Sequence, residues 1–161
     1  MPAILGISPG TRSVGFAVLK DGKLTEYRVQ SFQEAWTYQK LKKIINCIRQ
    51  EIERNGIQGI AVKIPDTQPT SSSYIQLLGA MNVCFERKGI KARYYTLSDI
   101  KWHFRPDRRV NKAVLAECTI AKHPDLLPEY RKEQGNRNVY YDKLFEAVAA
   151  VDLLQREVIN S

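Results

Sequence analysis

The chain has 161 residues and carries 25 Lys plus Arg against 17 Asp plus Glu, a net charge of +8 with a pI near 9.5. Its 43% hydrophobic and 26% charged residues are the composition of a soluble globular protein, long enough to fold without staples as a single domain over residues 1–161. No apolar run is long enough to span a membrane, and the start has neither the basic segment nor the cleavage site of a signal peptide, so a cytoplasmic location is expected.

The positive balance favours a polyanionic partner, nucleic acid above all, through counterion release. Cys47, Cys84 and Cys118 each stand alone within a helical apolar pattern. That spacing excludes a disulfide framework or a paired zinc site and predicts reduced core thiols.

Residues 4–19 are two apolar runs joined at Pro9-Gly10, which predicts a buried strand, a tight turn and a returning partner strand. Gly6, Gly10 and Gly15 leave the backbone bare around Ser8, as suits a close approach to the main chain. Asp21-Gly22 is a two-residue hairpin signal, and a third strand follows over residues 23–32 with Tyr27 and Val29 on one face.

Between Gln33 and Arg54, Leu41, Ile44, Ile45, Ile48 and Ile52 have the three-and-four spacing of a helix with one buried stripe, ended by Asn55-Gly56. Residues 57–64 predict a central strand parallel to a neighbour, with Lys63 interrupting its apolar end. The serines of the polar 65–73 loop cap a helix that closes at Gly89. A strand over residues 90–96 comes next, then a short helical turn capped by Ser98. Asn111 caps a helix to Lys122, residues 125–137 form a mobile charged connection, and a last helix runs over residues 138–158. Leu144, Val148, Val151 and Leu154 line one side of that helix. Hairpin strands followed by alternating helices and strands predict a mixed α/β sheet with helices on both faces.

Asp142, Glu146, Ala149 and Ala150 share a face of the last helix, and the alanines place that face close against the sheet. The acids are then partly buried and need a cation or hydrogen bonds. Otherwise they are exposed and pair with Lys143 and neighbouring charges. The run Lys101-Trp102-His103-Phe104-Arg105, continued by Arg108, Arg109 and Lys112, interleaves cations with aromatics in a way that suits phosphate contacts and base stacking. It equally suits a solvated basic loop with Trp102 and Phe104 turned into the core. The hydroxyls of residues 67–73 suit helix capping or a phosphate. His103 and His123 have no cysteine or acid at a metal-ligand spacing and receive no catalytic role.

These elements together resemble the RuvC family of Holliday-junction resolvases, in the ribonuclease H-like superfamily. The resemblance runs through residues 4–19, Ile60-Ala61-Val62-Lys63, the 95–101 segment Tyr-Thr-Leu-Ser-Asp-Ile-Lys, and Glu146-Ala147-Val148-Ala149-Ala150. It implies a five-stranded mixed sheet, acids gathered around magnesium for two-metal phosphodiester hydrolysis, nucleic-acid contacts from Lys101 and Lys112, and a homodimer. The chain departs from that pattern at the ligands. Ser8 stands at the family's first-strand aspartate, Lys63 at its central glutamate and Lys143 at the first aspartate of its final helix, while Glu146 keeps an acid. Asp142 is displaced by one residue, and Asp66 lies three beyond Lys63.

Two metals need several anionic oxygens to replace part of their water shells. The expectation is therefore a remnant site of Ser8, Lys63, Asp142 and Glu146 with no metal and no cofactor, in a protein that binds nucleic acid, DNA in particular, without cutting it. The ammonium of Lys63 is expected to stand in the metal's place against Glu146 and Asp142. Two alternatives remain open, a magnesium-dependent endonuclease with Asp142, Glu146 and Asp66 in an altered arrangement, and a protein-interaction module on the same fold.

Overall fold

The computed structural model describes residues 3–104, 112–129, 131 and 139–160. Strands β1 (Ala3–Ser8), β2 (Ser13–Lys20) and β3 (Lys23–Ser31) form an antiparallel meander, and β4 (Ile57–Ile64) and β5 (Lys91–Thr96) extend it in parallel on the far side of β1. The strand order is β3-β2-β1-β4-β5. Asp21 and Gly22 both have positive φ, 54° and 78°, so the β2–β3 turn has the backbone that matches strand twist.

Side chains alternate across β1, and this splits the core in two. Leu5 and Ile7 pack under helices α1 (Tyr38–Asn55) and α2 (Ser72–Lys88), against Ile44, Ile48, Leu77 and Met81. Ile4 packs on the opposite face under the last helix, α5 (Val139–Asn160), together with Ala17, Leu19 and Ala61. Helices α3 (Leu97–Phe104) and α4 (Lys112–Lys122) cover the outer side of α5. The sheet is therefore mixed, five-stranded and clothed by helices on both faces, as the sequence predicts.

The differences are local. The first helix begins at Tyr38, not near Gln33, because the Thr37 hydroxyl accepts from the Lys40 amide at 3.1 Å and caps it, whereas Phe32 is still held to the meander by its amide on the Arg12 carbonyl at 2.8 Å. Ser71 and Gly89 cap α2 as expected. Ser98 does not cap α3. Thr96 and Asp99 do, each side chain accepting from the other's amide at 3.1 and 3.0 Å, a reciprocal capping box. The expected mobile connection is ordered at its start, where Pro124–Leu126 makes a 3-10 turn that buries Leu126.

The last helix is buried all round over residues 144–154, not along one stripe, because it lies between the sheet and α3 and α4. Ala149 and Ala150 are fully buried in the cluster between helix and sheet, and Glu146 on the same face is buried with them. A Cβ on Gly6 would fall 2.2 Å from the carbonyl oxygen of Ala147, and one on Gly15 would fall 2.2 Å from that of Lys143. Bare strand glycines thus receive the helix backbone at Lys143 and Ala147. That seating fixes where α5 delivers Glu146.

Candidate functional site

Ser8 ends β1 opposite Gly15, and the pairing of Ile7 with Val62 sets it beside Lys63 at the adjoining end of β4. It shares the α5 face with Gly6, two residues earlier. Ser8 is wholly buried, and its hydroxyl oxygen has no hydrogen-bond partner among the described residues. A buried polar atom left in this way is costly and marks a place built around something polar.

Lys63 follows Ala61 on the same face, and its Nζ lies 2.6 Å from Oε2 of Glu146 on α5. The two side chains are 16% and 5% exposed. The contact is ionic and lacks hydrogen-bond geometry, so Oε2 has a charge partner but no directed donor. Lys143, three residues before Glu146, donates from Nζ to the Pro9 carbonyl at 2.9 Å and ties the β1–β2 turn to α5. Asp142 lies half-buried in the first turn of α5. Tyr74, in the first turns of α2, has its phenol pushed up to about 12 by burial and, secondarily, by the charge of Glu146.

Asp66 does not join this group. Its Oδ1 accepts from the Ser98 amide at 2.9 Å, and that bond holds its carboxyl below the ordinary range, with the charge of Lys101 adding to the effect. The loop after β4 turns toward α3, so the acid that sequence spacing offers as a substitute ligand serves as a backbone acceptor.

Among the described residues no three His, Cys, Asp or Glu side chains are grouped to hold a metal. The donor chemistry also does not fit a magnesium pair. Ser8 is neutral, and Lys63 and Lys143 bring ammonium groups to positions where anionic oxygens are needed. The buried carboxylate already faces a cation at 2.6 Å, inside the space a ligated ion would need.

In front of the two lysines is an open groove of about 590 Å³ between the β1–β2 turn and the loop over residues 65–71. Among the described residues, Arg12, Lys63 and Lys143 are its cations, Tyr74 is its one aromatic, and no carboxylate lines it. Arg12 and Tyr74 are residues the sequence pattern did not single out. The turn position of Arg12, two past Gly10 in a hairpin with bare strand ends, is the signal that could have found it.

The basic segment is only partly described. Lys101 is half-buried on α3, and Trp102 is 69% exposed, so the tryptophan is not a core residue. Trp102 borders a shallow groove with Tyr94, Tyr95, Asp99 and Glu157. Arg105, Arg108 and Arg109 lie outside the described residues, and Lys112 opens α4. The thiols divide: Cys84 is buried as expected, while Cys47 and Cys118 are only half-buried. His123 places Nε2 at 2.9 and 3.0 Å from the two carboxylate oxygens of Asp152, a buried pair that joins the end of α4 to α5.

Neither a family model nor a curated protein matches the sequence. Solved structures do match in fold. RuvC of T. thermophilus, in complex with a Holliday junction substrate, superposes with a TM-score of 0.70 at 15% identity, over 97% of this chain and 96% of that one. The yeast mitochondrial Holliday junction resolvase gives 0.63 at 10% identity over 92% of this chain and 75% of that one. The Fowlpox virus resolvase, with substrate Holliday junction DNA, gives 0.58 at 10% identity over 99% of both. By strand order, helix placement and these superpositions, the chain has the ribonuclease H-like fold of the RuvC-type Holliday junction resolvases.

Proposed function

We propose that this chain is a RuvC-like, single-domain, cytoplasmic protein that binds branched DNA without cutting it. The observation that carries this reading is the Lys63 ammonium 2.6 Å from the buried Glu146 carboxylate, where a two-metal nuclease needs cations it can exchange with solvent. Nucleic-acid binding is supported by the net charge of +8, by the cation-lined groove and by the junction complexes of the T. thermophilus and Fowlpox relatives in fold. Arg105, Arg108, Arg109 and Lys112, with Lys101 and the exposed Trp102, extend the proposed DNA contact along the 101–112 segment. A two-fold homodimer would match a two-fold junction.

A synthetic four-way junction tests the reading. The expected result is salt-dependent binding with no product in magnesium or manganese. Metal-dependent cutting that disappears in Glu146→Gln would overturn it in favour of a rearranged nuclease. Absence of DNA binding at low salt would overturn it as well and leave the protein-interaction module as the competing reading.

A further inference from the structure

We propose that the groove between the β1–β2 turn and the 65–71 loop seats a backbone phosphodiester directly on Lys143, Arg12 and Lys63, with no metal ion between protein and phosphate. The inference rests on the nucleic-acid reading above and goes beyond it by assigning the contact to a place and a chemistry.

A nuclease site built from carboxylates repels a phosphate until metal ions intervene. Here the sign of the lining is reversed. Among the described residues three cations face the groove and no carboxylate does, because Glu146 sits behind Lys63. The Lys63–Glu146 pair largely cancels itself, and Arg12 and Lys143 bring a guanidinium and a second ammonium group to the lining. Around them the lining is rich in hydroxyls, from Thr11, Ser13, Thr67, Thr70 and Ser71. Cations with hydroxyl donors are the side-chain types that contact phosphate oxygens.

Two of the cations are also held in place before any ligand arrives. Lys143 is anchored on the Pro9 carbonyl at 2.9 Å and Lys63 on Glu146, so little side-chain freedom is lost on binding. Arg12 is exposed at the tip of a turn whose backbone is pinned by the 2.8 Å bond from the Phe32 amide to the Arg12 carbonyl. With a single ring among the described lining residues, and that one largely buried beside Glu146, the groove offers them no platform on which to stack a base. The contact is therefore to the backbone and independent of sequence.

The test is junction binding by the 161-residue chain, followed by fluorescence anisotropy across a salt series. Arg12→Ala carries no folding risk because the side chain is exposed, and Lys143→Met keeps the apolar stem of the lysine. Each should weaken binding roughly three- to tenfold at moderate salt and lower the slope of log affinity against log salt by about one, with the double variant losing about two. Wild-type binding should be equal in EDTA and in magnesium at matched ionic strength, and equal for junctions with and without terminal phosphates. Wild-type slopes in both variants, with DNA still bound, would overturn the groove as the seat and leave the nucleic-acid reading standing. Loss of binding in EDTA would overturn the metal-free contact, and dependence on terminal phosphates would make the site one for strand ends. A wild-type chain that binds no DNA removes the reading on which the proposal rests.

Discussion

At the scale of single residues, the Lys63–Glu146 pair has consequences for stability as well as chemistry. Removing one member of a buried ion pair strands the other charge, so Lys63→Met should destabilise the fold by about 3 kcal/mol at neutral pH. Lys63→Met/Glu146→Gln should recover most of that loss, because both charges go together. Urea unfolding of the single and double variants measures the difference, and equal losses in both would contradict the pair's role. Tyr74 offers a second probe. Its folded-state value of about 12 lies above the ordinary 10, so the folded chain holds that proton more tightly than the unfolded one. The stability tied to this group is whole below pH 10 and falls as pH rises toward 12. Tyrosinate absorbance should show a late step missing in Tyr74→Phe. In Glu146→Gln the step should move down only part of the way, because burial is the larger cause of the shift.

At the scale of elements, the seating of α5 decides the geometry of the site. Gly6→Ala would drive a methyl group to 2.2 Å from the Ala147 carbonyl oxygen. Helix and sheet backbones must then part, at a cost of about 3 kcal/mol or more. Gly79, in the middle of α2, has open space where a Cβ would stand, with nothing within 4 Å, so Gly79→Ala should stabilise by about 0.5–1 kcal/mol. Thermal unfolding of the two variants should move in opposite directions.

The same elements show how far local pattern reaches. Asp21-Gly22, Ser71 and Gly89 act through their own backbone neighbourhoods, and the turn and the two caps were legible from them. The start of α1 was not, because residues 33–37 are compatible with a helix and only the Thr37 hydroxyl decides the boundary. The all-round burial of α5 comes from α3 and α4 folding over it, which one helix's periodicity cannot reveal. At the site, Ser8, Lys63 and Glu146 could be read through family resemblance. Arg12 sits in the turn of the opening hairpin, whose pattern marks the backbone around Ser8 and not this side chain, and Tyr74 arrives from α2, which reads only as an amphipathic helix. His123 and Asp152 stand 29 residues apart and meet only through tertiary packing.

For the whole molecule, the fold and the site lead to different expectations. Strand order and helix placement match resolvases that were solved with junction DNA, while Ser8 and Lys63 at the strand ends and Lys143 on α5 bring a hydroxyl and two ammonium groups to the neighbourhood of Glu146. On the proposed reading these three residues keep metal out, so replacing them with acids should admit it. Ser8→Asp/Lys63→Glu/Lys143→Asp would rebuild an acid cluster around Glu146, and junction cleavage in magnesium would report its return. The most direct measurement is calorimetric titration of the wild-type chain with magnesium. The expected result is no saturable heat in the wild type and a saturable isotherm in the acid-restored variant. Saturable magnesium binding by the wild type that disappears in Glu146→Gln would contradict the claim that Lys63 holds the metal's place.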